Sequence, residues 1–389
     1  MPKLSYYLSV LLLVTSCGGS GTFSVLDGNA DSLRYATNLS ITRHEGWTQV
    51  NLRNPWDTAT VLHSYLLVPA EAEIPAGLPA GTLVRTPLRR AGVATAVACG
   101  LIAELGRTSA IAGVCEQQYI HQPAVLQGLL DGSIADFGNG MNPDIERIMD
   151  IAPDALLLTP FEHSGGYGRV ERLGIPIIEC AEYMETSALG RAEWIKFYAL
   201  LFGAEAAGDS IFSCVEHNYS ELRQLVRSLP ASAPSTSLTT GEVHGGGSSP
   251  SILTETLYGA QWFVPCAQST MGRMYADAGG TNPFDDMEGS GSVGLAFEQV
   301  LERAHDADVW LVKYNQSAPL TYASFAREYQ PYTQFRAWRE RHIWACNLDA
   351  TQFYEETPFH PDRLLRDLVI ILHPQLKLGQ TRYYRPLSE

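Results

Sequence analysis

Residues 145–155 and 297–307 carry one pattern twice, and that repetition narrows the possible folds more than any other feature of the chain. Ile145-Glu146-Arg147-Ile148-Met149-Asp150-Ile151-Ala152-Pro153-Asp154-Ala155 and Phe297-Glu298-Gln299-Val300-Leu301-Glu302-Arg303-Ala304-His305-Asp306-Ala307 share one spacing. Apolar side chains recur at i, i+3, i+4 and i+7, which marks one face of a helix: Ile145, Ile148, Met149 and Ala152, then Phe297, Val300, Leu301 and Ala304. An apolar strand follows each copy, Leu156-Leu157-Leu158 or Val309-Trp310-Leu311-Val312. A helix feeding a buried strand is the unit of a parallel sheet covered by helices, so two lobes of like build are expected. Glu146 and Glu298 each stand just after the first apolar residue, off the core face. A carboxylate at the same place on two like lobes suits docking onto a partner of roughly two-fold symmetry. The helix dipole also favours an acid there, by about 0.3–1 kcal/mol, so the matched pair counts for more than either residue alone.

The rest of the chain fits this plan. Leu39 to Thr42, Thr48 to Leu52 and Ser64 to Val68 read as short strands of an N-terminal, mainly β extension over residues 33–80. A Pro/Gly/Ala-rich link, Pro69 to Gly81, leads into strands alternating with amphipathic helices. These are Ala91 to Ala98 with a helix to Gly106, Ala110 to Val114 with a helix to Leu130, Ala155 to Thr159, a helix at Val170 to Leu173, and Ile175 to Ile178. Residues 187–203 are apolar around most of a helical circumference, capped by Ser187 and closed by Gly203. A helix apolar on most sides is buried on most sides, so this one is read as the connector between an N-terminal lobe (81–186) and a C-terminal lobe (204–389). A second helix, Ala206 to Leu229, and the Pro/Ser-rich break Pro230 to Pro234 come before the second α/β series.

The N-terminus indicates the compartment. Lys3 and a short apolar run (Leu8, Val10 to Val14) have the size of a signal-peptide core and fall well short of the roughly 20 apolar residues of a membrane span. Val14-Thr15-Ser16-Cys17 resembles a bacterial lipobox, so residues 1–17 read as a lipoprotein signal with Cys17 lipidated. Residues 18–32 read as a flexible tether. The net charge of −15 argues against nucleic acid, which selects basic surfaces. Six cysteines remain, Cys99, Cys115, Cys180, Cys214, Cys266 and Cys346; they permit disulfides outside the cytoplasm, and no pairing is selected.

Several local motifs add to the repeat, in order along the chain. They are Asn54-Pro55-Trp56, Tyr65 to Pro69, Ala112-Gly113-Val114, Asn142 to Asp154, Arg191 to Lys196, Trp262 to Pro265, His360-Pro361-Asp362, Asp367-Leu368 and Leu372-His373-Pro374. Together with the repeat they resemble the class III, Fe/B12-type periplasmic substrate-binding proteins of ABC importers, in a lipoprotein branch, over most of residues 37–384. The resemblance implies two α/β lobes joined by a single long helix and a ligand bound between them. It implies that Glu146 and Glu298 pair with arginines of a permease dimer driven by its ATPase. It also implies a monomeric, non-enzymatic protein with no intrinsic cofactor, whose transported ligand is an iron chelate, haem or cobalamin.

Ligands of open α/β sheets sit beyond the carboxyl ends of the strands. In the first lobe that selects the loops holding Gln118, Tyr119 and His121, Gly138 to Gly140, and Phe161, Glu162 and His163. In the second it selects His244 to Gly247, Trp262, and Lys313, Tyr314 and Asn315. Large planar ligands want aromatic faces and a few fixed polar groups, which makes Gln118, Tyr119, Phe161, His244, Trp262 and Tyr314 the expected contacts. Tyr119, His121 or His244 could ligate a haem iron. A zinc or manganese binder of related fold is the nearest alternative, but the histidines are scattered without the clustering a bare metal needs. A surface lipoprotein that has lost transport is a third reading. A hydrolase is disfavoured: His244 to Gly247 resembles an oxyanion segment, yet no G-x-S-x-G elbow accompanies it.

Overall fold

The structure is a computed structural model that describes residues 29–57, 59–161, 166–229 and 249–389. Cys17 and His244, like Glu162 and His163, lie outside the described residues.

The N-terminal extension is a five-stranded sheet of β1 (Asn29–Ala30), β2 (Leu39–His44), β3 (Trp47–Arg53), β4 (Val61–Pro69) and β5 (Thr82–Thr86). It is antiparallel up to β4, and β5 joins parallel to β4, past the end expected for the extension. The second half of β4, Tyr65 to Val68, is buried on both faces. Leu66 and Val68 pack on Trp47, while Tyr65 and Leu67 enter the main core of the molecule. The Tyr65 ring stacks on Phe197 at 5.8 Å.

The first lobe is an all-parallel sheet with strand order β12-β11-β6-β7-β8. Its strands are β6 (Ala91–Val93), β7 (Ile111–Val114), β8 (Ala135–Asp136), β11 (Ala155–Leu158) and β12 (Ile177–Glu179), with a small hairpin of β9 (Gly138–Asn139) and β10 (Asn142–Pro143). Its helices are α1 (Ala96–Glu104), α2 (Pro123–Asp131) and α3 (Ile145–Ile151). The expected strand Ala91 to Ala98 stops at Val93 because the Thr95 hydroxyl accepts from the Ala98 amide and starts α1. The Phe137 ring lies over Gly113, where a Cβ would collide with it, and a Cβ at Gly92 would collide with Leu156. The helix expected at Val170 to Leu173 is a single 3-10 turn, Glu171–Leu173.

The connector is two helices rather than one, α4 (Ala188–Glu193) and α5 (Ile195–Phe202), jointed at Trp194. The Trp194 amide bonds to the Arg191 carbonyl three residues back, which tightens the turn at the joint. The end signals behave as read: the Ser187 side chain accepts from the Gly190 amide, and Gly203 closes α5 at φ +60°. Nearly every residue of the pair is buried, which is why the sequence looks apolar all round. The long element is the next one, α6 (Glu205–Arg227), 23 residues and about 35 Å. Two buried carboxylates strap the extension to this region. Glu193 accepts the amides of Arg34, Tyr35 and Ala36, and Glu185 accepts those of Thr37 and Asn38 and the Trp194 indole N–H.

In the second lobe β13 (Ile252–Thr254) precedes a three-stranded antiparallel sheet of β14 (Leu257–Tyr258), β15 (Gln261–Pro265) and β16 (Ser292–Leu295). β17 (Val309–Tyr314) and β18 (Ile343–Asn347) then line up parallel beside β13, with β19 (Arg385–Pro386) antiparallel at the edge. Helices α7 (Thr270–Asp277), α8 (Phe297–Ala304), α9 (Tyr322–Glu328), α10 (Arg336–Arg339), α11 (Phe353–Glu356) and α12 (Pro361–Leu372) cover the lobe. A separate aromatic core of Trp262, Phe297, Trp310, Phe325, Tyr332 and Phe335 fills it. The two lobes are thus mixed α/β with parallel-sheet cores. All six cysteines present in the described residues are free thiols, five of them buried.

Candidate functional site

The parallel strands of both lobes end toward each other, and two neighbouring side chains, Glu355 and Gln352, join the two sets of loops. In the first lobe β7 runs into the loop 115–122. The His121 and Gln122 amides of that loop donate to Glu355 Oε1 at 2.8 and 3.2 Å. Glu355 belongs to α11, which follows β18 of the other lobe, and Gln352 beside it donates to the His121 carbonyl (3.4 Å). Glu355 is 4% exposed, and its Oε2 has no hydrogen-bond partner among the described residues. Burial pushes its carboxyl above the usual range, against the amides that favour the charged form.

The first-lobe rim is braced by its own polar side chains. Glu116 adopts a left-handed backbone at φ 54°, a conformation uncommon outside glycine. Its Oε1 accepts from the Gly140 amide (2.9 Å) and its Oε2 from Gln118 Nε2. Gln117 Nε2 donates to Asp136 Oδ2 (2.8 Å). Gln118 and Tyr119 project outward beside them, Tyr119 with 58% of its surface exposed. Phe161, on the loop after β11, is 45% exposed, and the Tyr183 hydroxyl ties that loop to the next through the Pro160 carbonyl (2.7 Å).

Across from this rim, β13 ends at Glu255, also left-handed at φ 63°, and the end of β17 carries Lys313. Their side chains form an ion pair, and the Lys313 ammonium lies 5.5 Å from the centre of the Phe353 ring. Burial works against the charge on Lys313, but Glu255 beside it wins and the ammonium is held above its usual range. Tyr314 is half-buried against the aromatic core, and Asn315 lies within hydrogen-bonding reach of Asp349. Tyr354, next to Glu355, is exposed.

Trp262 corrects an expectation. It is fully buried, stacked on Trp310 at 5.6 Å and edge-on to Tyr332 and Phe335. Its indole N–H is already given to the Thr254 carbonyl (2.7 Å), so it has neither a face nor a donor for a ligand. The alternation of β15 turns Trp262 into the core and Phe263 outward. Gln118, Tyr119 and Phe161 therefore gather on one rim and Tyr314 on the other. Glu116, Glu255, Tyr354 and Glu355 were not singled out from sequence, and Lys313 only as a loop neighbour. The available signal for the lysine was one charge ending the apolar run Val309 to Val312. Glu146 and Glu298 are both exposed in the first turns of α3 and α8, as the repeat predicts. Among the described residues no group of three or more histidine, cysteine or acidic side chains is arranged to hold a metal.

Comparison with known proteins places this geometry. The sequence model described as periplasmic binding protein matches residues 95–348. An uncharacterized lipoprotein of Methanocaldococcus jannaschii is 26% identical over 262 residues, 66% of this chain and 57% of that protein, so the chain spans little more than half of that relative. A second uncharacterized lipoprotein of the same organism is 23% identical over 369 residues, covering 90% of this chain and 86% of its own. Coverage that broad includes at least part of the N-terminal sheet. Among solved structures, a periplasmic heme binding protein from Pseudomonas aeruginosa aligns with a TM-score of 0.59 at 14% identity, over 78% of this chain and 99% of that one. The periplasmic vitamin B12 binding protein of Vibrio cholerae aligns with a TM-score of 0.52 at 15% identity, over 75% and 99%. At such identities the likeness establishes the shared fold.

Proposed function

Because the chain belongs to the periplasmic binding protein family, we propose that it is an extracytoplasmic substrate-binding protein, anchored by lipid at Cys17, that carries a metal chelate to an ABC importer. The ligand is of the cobalamin, haem or ferric-siderophore type and sits between the lobes. The observation that carries this reading is the meeting of the strand-end loops at Glu355, with Tyr119, Phe161 and Tyr354 of such loops left exposed to solvent. Exposed aromatic faces beside fixed polar groups are what a large planar or chelate ligand requires. Delivery fits the outward Glu146 and Glu298, one on each lobe, which are free of salt bridges among the described residues and suited to arginines of a permease dimer. The lipoprotein relatives support an extracytoplasmic setting.

The test is a titration of the soluble chain starting at Gly18 with cyanocobalamin, haemin and a panel of ferric siderophores. Visible absorbance is the better readout, since Trp194, Trp262 and Trp310 are wholly buried and have no direct contact with the cleft surface. Saturable one-to-one binding at sub-micromolar affinity supports the reading. A folded chain that binds none of them contradicts it.

A further inference from the structure

The two lobes meet along a seam, and one polar contact on it depends on a proton. We infer that Glu104 and His360 form a pH-sensitive latch between the lobes, engaged in mildly acidic and neutral surroundings and released in alkaline ones. Its consequence for a bound ligand rests on the binding function proposed above, since the latched lobes are the walls of that cleft.

Helix α1 of the first lobe lies against α11 of the second, so closely that a Cβ at Gly100 would come within 3.3 Å of the Glu355 carbonyl oxygen. His360, just beyond α11, is 5% exposed, and its ring stands between an acid from each lobe. Nε2 lies 2.8 and 2.7 Å from the two carboxylate oxygens of Glu104, at the end of α1. Nδ1 faces Asp362 Oδ1 at 3.7 Å, an oxygen that is buried and has no hydrogen-bond partner among the described residues. The other Asp362 oxygen accepts from Asn218 Nδ2 of α6 (3.0 Å). Arg363 of α12 reaches Glu104 only at 3.9 Å and lies closer to Glu356 of α11 (3.3 Å), which Arg382 also holds (2.6 Å). From α6 come Asn218 and, 3.6 Å behind it, the Cys214 thiol.

With both ring nitrogens protonated, His360 points an N–H at each acid. Burial works against that charge, but Asp362 and Glu104 outweigh it and hold the imidazolium above the ordinary histidine range. Its stabilising contribution is therefore complete below about pH 6.5 and lost as pH rises through the raised value. Burial opposes the charge on Asp362 too, but His360 and Asn218 prevail and hold it below the usual carboxylate range, so its contribution fails only in acid. A neutral imidazole has one N–H and cannot serve two carboxylates. Asp362 is 7% exposed and fixed by Asn218, whereas the Glu104 side chain is 34% exposed and can turn to water. The proton that remains goes to the Asp362 side, and the bond given up is the one between the lobes.

The experiment follows hydrogen exchange of the soluble chain from Gly18 between about pH 6 and about pH 9, corrected for the intrinsic pH dependence of exchange. Peptides covering α1 and α11 report on the seam, and a peptide covering β17 reports on the core of one lobe. Seam protection is expected to fall by about fivefold over that range, the loss of one charge-assisted hydrogen bond to a partly screened acid, while β17 keeps its protection. Glu104→Gln should lose this pH dependence, because an amide can donate to the neutral ring or accept from the charged one. In the same variant the His360 ring-proton resonance should titrate at lower pH than in the parent. A seam in the parent that does not respond to pH, or an equal response in Glu104→Gln, overturns the latch. No ligand enters these measurements, so the latch stands or falls separately from the binding function.

Discussion

The matched helices α3 and α8 are alike in sequence and unlike in how deeply they are covered. In α8 the side chains of Phe297, Val300 and Ala304 are buried, and Phe297 meets Tyr329, Phe335 and Trp262 within the aromatic core. In α3 only Ile148 is buried. Met149, expected on the core face, is 60% exposed, and Ala152 is exposed in a left-handed C-cap at φ 46°. Their first turns are also held differently. The Asp144 side chain accepts from the Arg147 amide and caps α3, whereas Ala296 has no side chain to do so and Gln299 reaches back to its amide instead (3.0 Å). An apolar periodicity therefore sets which face of a helix turns inward. How much lies above that face depends on neighbours from elsewhere in the chain, and the second lobe supplies an aromatic box that the first lacks.

The largest effect expected from this pair is on delivery. Reversing both exposed charges, with Glu146→Lys and Glu298→Lys together, should abolish uptake in cells while ligand affinity of the purified protein is retained. Single reversals sharpen the comparison: similar losses mean that the lobes dock alike despite their unequal cores. Retained transport in the double variant means that the repeated glutamates have no role in docking.

Stability should separate the two helices next. Phe297→Ala leaves a cavity among aromatic rings and should cost about 3–5 kcal/mol in urea unfolding. Ile145→Ala, at the matching but half-buried position, should cost about 1–2 kcal/mol. Equal losses would break the contrast in burial. A smaller difference lies at the caps. Asp144→Ala should cost about 1 kcal/mol, and Gln299→Ala about 0.5 kcal/mol for one hydrogen bond at an exposed helix end. The smallest effect is expected at Met149→Ala, within about 0.5 kcal/mol of the parent, and Leu301→Ala at the matching, partly covered position should exceed it.

Much of the fold is legible in the residues. The strands of the extension, the helix-to-strand repeat, the Ser187 and Gly203 ends of the connector and the span of α6 all follow from period and caps. The joint at Trp194 is not legible, because a buried helix is apolar on both sides of a break and its periodicity carries no mark there. The site divides in the same way. That Tyr119 and Phe161 stand on strand-end loops follows from the order of strands and helices. That Trp262 points inward is set by the register of β15 between β14 and β16, which turns it to the core face, where its N–H meets the Thr254 carbonyl of another strand.

By itself, then, the sequence determined two α/β lobes, a β-rich extension ahead of them, and a glutamate placed outward on each of two matched helices. These follow from interactions between residues a few positions apart, which local pattern records. Only the tertiary structure decided which polar groups share the space between the lobes. Glu255 meets Lys313 because β13 and β17 are neighbours in the sheet, and His121 meets Glu355 because the two lobes close on each other. Such pairs are made by chain segments far apart in sequence, whose approach is set by packing of the whole core rather than by the residues beside them.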